Sequence, residues 1–138
     1  MTEPKRGPVR DSVANRPPGY LALDDPRYIA GKFDPAVHPD FIAFEGDSVD
    51  RVMYLRTEAY LAFLKMAKAA AEDSITLKII SATRSFDYQK EIWEKKWTGK
   101  TAVDGKKMHL HLKDAVARAL KIMEYSAPPG FSRHHWGT

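Results

Sequence analysis

Ser126-Ala-Pro-Pro-Gly-Phe-Ser-Arg-His-His-Trp-Gly-Thr138 closes the chain and gathers its most chemically pointed residues. Pro128-Pro129-Gly130 is a turn signal, because proline cannot continue a helix and glycine reverses a chain cheaply. The turn ends the helix-like run before it and is expected to set the next residues on an extended path. Two adjacent histidines follow, with Ser132 and Arg133 before them and Trp136-Gly137 after. Neutral imidazole is the commonest protein ligand for zinc, and a strand edge beside a tight turn can present one rigidly. On spacing alone the pair reads first as two ordinary polar residues near a terminus, with the metal reading left open.

Working back from that stretch, Leu112 to Tyr125 has the spacing of an amphipathic helix with Asp114 near its start. Its expected inward face is Leu112, Ala115, Val116, Ala119, Leu120 and Met123. Thr98 to Lys107 is a polar loop, and His109-Leu-His111 could chelate a metal from a strand, although no carboxylate is close in sequence. Phe86 to Trp97 predicts a second helix capped by Ser85, with Tyr88 and Ile92 on one face and Trp93 and Trp97 four apart. Ile75-Thr-Leu-Lys-Ile-Ile80 alternates and is rich in β-branched residues, which predicts a strand. That strand delivers Ser81-Ala-Thr-Arg84, a placement that can put a cation at the edge of a site. A surface ion pair of Arg84 with Asp87 or Glu91 is the plainer alternative.

Thr57 to Asp73 predicts a third helix, with Thr57 as N-cap and Glu58 in its first turn. Its stripe of Tyr60, Phe63, Leu64, Ala67, Ala70 and Ala71 is expected to be core. Val52 to Leu55 is a short strand or the approach to that helix. Tyr28 to Phe44 holds turn-forming pieces anchored by Phe33, Phe41 and Phe44; His38 and Asp40 could be ligands, but local turn roles account for them. Residues 1–27 are rich in Pro, Gly, Arg and Asp without period, and are expected to form an arm that is disordered or lies along the surface.

The 138 residues bound one domain of ordinary soluble composition, 43% hydrophobic and 29% charged. No apolar run is long enough to span a bilayer, and the first residues lack the apolar core of a secretory signal. With no cysteine, disulfides and thiolate metal sites are excluded. The net charge of +4 is scattered, and Glu91, Glu94 and Asp104 dilute the Lys90 to Lys107 region, so no nucleic-acid partner is expected. A mildly basic surface suits an anionic polymer such as a bacterial wall.

Ser132-Arg-His-His-Trp-Gly137 resembles the opening of the Ser-x-His-x-x-Gly-x-x-x-Asp zinc motif. That motif belongs to the VanY-like D-alanyl-D-alanine carboxypeptidases of the LAS metallopeptidase group, which also takes in lysostaphin-like enzymes and the hedgehog signalling domain. Ser81-Ala-Thr-Arg-Ser-Phe-Asp-Tyr-Gln89 is similar to a second family stretch and comes in the right order, as do Gly31-Lys-Phe-Asp-Pro35, Ile92-Trp93 and Trp97. The resemblance covers residues 28–138 and implies an α+β fold, a small antiparallel sheet with flanking helices. It makes residues 28–138 an incomplete peptidase-like domain.

Residue by residue, the resemblance implies His134 as the first zinc ligand, Arg84 as the catalytic cation holding a substrate carboxylate or oxyanion, and Ser132 and Gln89 as substrate-binding. His135 falls at a variable position and is given no ligand role. The implied cofactor is one zinc ion, two of whose three expected ligands would lie beyond the end of this chain, because Thr138 precedes the Asp position. The 138 residues by themselves are therefore expected to be inactive. The implied substrate is a peptidoglycan stem peptide ending in D-Ala-D-Ala, and the implied location the cell envelope, periplasm or exterior of a bacterium. Two other readings share the scaffold: an L-alanyl-D-glutamate endopeptidase, and a non-catalytic wall-binding or signalling module.

Overall fold

The computed structural model describes residues 17–46 and 49–138. The fold is α+β: a two-stranded antiparallel sheet with helices around it. In chain order come α1 (Pro26–Ile29), β1 (Phe41–Gly46), β2 (Val49–Arg56), α2 (Thr57–Glu72), α3 (Phe86–Trp97), α4 (Met108–His111), α5 (Ala115–Met123) and a 3-10 turn (Arg133–Trp136). Of the arm expected over residues 1–27, residues 1–16 lie outside the described residues. The remainder is tied down: Leu21 meets His38, and Asp25 caps α1 by accepting from the Arg27 amide.

The hairpin pairs Phe41 with Arg56 through Glu45 with Val52, and its register shifts between Glu45 and Gly46. It packs against α2 through Phe44, which stacks on Tyr60 at 4.7 Å between ring centroids. Tyr60, Phe63, Ala67 and Ala70 are half-buried, whereas Leu64 and Ala71 are exposed, so the expected α2 stripe is core along only part of its width. Thr57 is not the N-cap. Arg56 holds that position without a side-chain bond, and the Thr57 hydroxyl donates to the Asp40 carbonyl.

Two apolar clusters organise the rest. Phe33, Phe41 and buried Tyr28 gather around His38, which is only 2% exposed. The His38 ring is fully engaged, with Nδ1 accepting from the Asp40 amide and Nε2 facing the Leu21 carbonyl at 3.1 Å. This is the local role its setting predicts. The second cluster is Val103, Met108 and Ile122, with Trp93, Trp97 and Leu112 against it.

The last long helix starts at Ala115 rather than Leu112, because the Asp114 carboxylate caps it by accepting from the Ala117 amide. Its buried face also differs from the expected one. Ile122 is fully buried, while Val116, Leu120 and Met123 are 67%, 59% and 51% exposed. The sequence holds two apolar stripes on this helix. The one chosen by the fold is completed by the Arg118 stem, whose guanidinium lies 4.6 Å from the Trp97 ring centroid.

The predicted strand 75–80 has no regular secondary structure and joins no ladder. Its period-two pattern survives in burial only in part: Leu77 and Ile79 are half-buried and Thr76, Lys78 and Ile80 exposed, but Ile75, expected on the inner face, is also exposed. What it lacks is a paired neighbour among the described residues, and a strand is defined by its partner. His109 and His111 stand on the single turn α4 rather than on a strand, so they do not share a face. Among the described residues no helix is long and apolar enough to cross a membrane.

Candidate active site

The segment Ala82–Arg84 is a strip wedged between the hairpin and the final turn. The Thr83 amide donates to the Tyr54 carbonyl of β2 at 2.9 Å, and the Arg84 amide donates to the His134 carbonyl at 2.9 Å. On the far side of the turn, the Arg56 amide donates to the Gly137 carbonyl at 2.8 Å. These main-chain bonds bring Arg84 and His134 together, although 50 positions separate them in the chain.

The final stretch is not extended. Ser132 is buried at 3% exposure and caps the 3-10 turn, its hydroxyl accepting from the His134 amide. The expectation of a strand after Pro128-Pro129-Gly130 is corrected here: a serine next to two donor amides favours a capped turn over an unpaired extended run.

The two histidines of that turn divide their tasks. His135 is fully buried, and both ring nitrogens serve the backbone: Nδ1 donates to the Arg84 carbonyl at 2.7 Å and Nε2 accepts from the Gly130 amide at 3.0 Å. Its ring lies against Gly31, where a Cβ would stand 2.4 Å from Nδ1 at a backbone φ of 72°. Only glycine meets both demands. Nothing in the sequence marked His135 as the peg of the site, and the signal available was Gly31 in Gly31-Lys-Phe-Asp-Pro35.

His134 is half-buried, and its Nδ1 lies 3.2 Å from the Ala82 carbonyl. A proton on Nδ1 satisfies that carbonyl and leaves Nε2 with its lone pair, the arrangement in which a histidine binds a metal. Burial, followed by the positive charge of Arg84, holds this imidazole below the usual histidine pKa and so favours the neutral form.

Arg84 is half-buried, and its Nε and Nη2 donate to the Ser81 hydroxyl at 3.2 and 2.9 Å. Among the described residues neither Asp87 nor Glu91 pairs with it; Glu91 instead pairs with Lys95 at 2.5 Å. A guanidinium held by one neutral hydroxyl keeps donors for a carboxylate or an oxyanion. It borders a cleft of about 180 Å³ lined by Val52, Met53, Tyr54, Ser81, Thr83 and Tyr88 among others. His134 does not line that cleft, but touches its wall through Ala82 and Arg84.

Gln89 is 1% exposed, with Nε2 donating to the Ala127 carbonyl at 2.8 Å and Oε1 buried without a partner. A roomier cavity of about 430 Å³ lies elsewhere, bounded by Tyr28, Ile29, Arg56, Glu58 and Trp136. Its arginine is already engaged by Glu58 and the Tyr28 hydroxyl, so it offers apolar space rather than a reactive group. Size therefore does not select the site. The available cation does.

A zinc site needs three or four donors in tetrahedral array. Among the described residues no group of three His, Cys, Asp or Glu stands close enough to hold a metal ion. His134 fits as one ligand, but the described donor set does not make a metal centre.

A family model described as VanY, D-alanyl-D-alanine carboxypeptidase, matches residues 52–138. No curated protein and no solved structure matches the chain. The matched span runs from β2 through the final turn and contains Arg84, Gln89, Ser132 and His134. Since the match covers well over half of the chain and holds both sides of the Arg84–His134 junction, the chain belongs to the D-alanyl-D-alanine carboxypeptidase family.

Proposed function

We propose that the protein is a zinc-dependent peptidase that trims D-Ala-containing peptides of bacterial peptidoglycan in the cell envelope, with Arg84 and His134 at its centre. The observation that carries this reading is the 2.9 Å bond from the Arg84 amide to the His134 carbonyl, which joins the residue bearing the cation to the one whose imidazole burial, and then the Arg84 charge, hold below the usual histidine pKa. In this reading the Arg84 guanidinium holds the carboxylate of the peptide end or offsets negative charge on the tetrahedral intermediate. His134 would be the residue of this chain that holds the metal, through the Nε2 lone pair that its Nδ1 contact with the Ala82 carbonyl leaves available. Ser132 and Gln89 border the substrate site by holding the His134 amide and the Ala127 carbonyl in place. Zinc, when bound, supplies a polarised water at neutral pH.

The test is release of D-alanine from a peptide ending in D-Ala-D-Ala, assayed with and without a chelator. With no group of three His, Cys, Asp or Glu close enough to hold a metal among the described residues, the 138 residues by themselves are expected to release none. Cleavage by this chain that persists in the chelator would contradict a zinc mechanism.

A further inference from the structure

Positive charge is concentrated in one part of the chain. Residues 95–121 hold eight of its 22 Lys and Arg but two of its 18 Asp and Glu. The acidic groups there are already engaged. Asp104 takes Lys121 at 2.8 Å together with the Tyr125 hydroxyl, and Asp114 caps α5. Glu91 and Glu94, just upstream, pair within α3 with Lys95 and Lys90. Lys100, Lys106, Lys107 and Lys113 are exposed, and among the described residues no carboxylate pairs with any of them.

These lysines also sit together. Gly99 approaches the start of α4 so closely that a Cβ there would stand 3.1 Å from the Lys107 Cβ, which puts Lys100 beside Lys107. The Lys113 Nζ donates to the His109 carbonyl at 3.2 Å and so lies back over α4.

The same region leaves apolar side chains in water. Val116, Leu120 and Met123, spaced four and three apart, form an exposed stripe on α5 turned away from buried Ile122, and Leu110 of α4 is exposed as well. The 103–106 turn docks on α5 through the Asp104–Lys121 pair, so Lys106 and Lys107 flank this helix. Single exposed apolar residues need no partner, but a stripe beside unpaired lysines marks a binding surface. An anionic lipid surface satisfies both halves, since its phosphates take the ammonium groups and its acyl boundary takes the apolar stripe.

We propose that α4, α5 and the 98–107 loop form a docking surface for an anionic phospholipid bilayer, on which the domain lies without crossing it. The inference goes beyond the peptidase reading and does not depend on it.

The test is co-sedimentation of the 138-residue chain with vesicles of phosphatidylglycerol and phosphatidylcholine, and with vesicles of phosphatidylcholine alone. The chain is expected to bind the mixed vesicles at least about tenfold more tightly, and to lose that margin at about 0.5 M salt. Lys106→Gln with Lys107→Gln is expected to weaken binding by about tenfold or more. Val116→Ser with Leu120→Ser is expected to do the same, because the stripe then no longer enters the acyl boundary. Both variants change exposed side chains only, and their circular dichroism is expected to match wild type. The proposal is overturned if wild type binds neither vesicle or both equally, or if neither variant weakens binding. It is overturned too if only the lysine variant does, since a soluble anionic polymer would then serve the cluster as well. Self-association that the serine variant abolishes, without vesicle binding, would assign the stripe to a second copy of this chain instead.

Discussion

His134 and His135 are neighbours in sequence with opposite surroundings, and their replacement should separate cleanly. Removing the His135 ring leaves the Gly130 amide and the Arg84 carbonyl unsatisfied in a fully buried place, and opens space against Gly31. His135→Ala should cost about 2–4 kcal/mol of stability, the sum of two stranded backbone groups and lost packing. His134→Ala gives up one bond at a half-buried position and should cost about 1 kcal/mol or less. Denaturant unfolding of the two variants decides it, and equal losses would refute the division of tasks. The pH dependence carries the same signature. Because the folded His134 value lies below the usual one, its contribution is full above the unfolded value and disappears as pH falls through the folded one. At this scale the sequence names Arg84 and His134 as candidates from two motifs, and the fold joins their backbones by a 2.9 Å bond. The role of His135 was not legible, since it depends on a glycine 104 positions earlier.

Elements were legible where a cap or a period was local. Helix α3 runs Phe86–Trp97 as the sequence predicts, because the Ser85 hydroxyl accepts from the Tyr88 amide. Pairing and facing were less legible, since both depend on what lies opposite. The 75–80 stretch alternates like a strand yet meets no ladder among the described residues, and α5 buries Ile122, which lies outside the face that periodicity picks. The α5 correction makes a sharp prediction. Ile122→Ala should cost about 2–5 kcal/mol as a fully buried truncation, whereas Leu120→Ala, at 59% exposure, should stay within about 0.5 kcal/mol of wild type. The sequence-based face predicts the reverse order, so thermal or denaturant unfolding of this pair discriminates directly between the two orientations.

On the scale of the whole molecule, the site is made by main-chain bonds that bind three distant segments: β2, the Ala82–Arg84 strip and the final turn. The larger apolar cavity beside Trp136 competes with this junction as a place for a peptide. The order of the two motifs along the chain gave the family and the α+β class, but the main-chain bond that joins Arg84 to His134 required the fold. The most direct measurement is an amide-resolved NMR titration of the chain with a peptide ending in D-Ala-D-Ala, repeated on Arg84→Met. The account predicts shifts concentrated at Ser81 to Ser85 and Ser132 to His135, with affinity falling at least about tenfold in the variant. Shifts confined to Tyr28, Ile29 and Trp136, or an affinity indifferent to Arg84→Met, would contradict it.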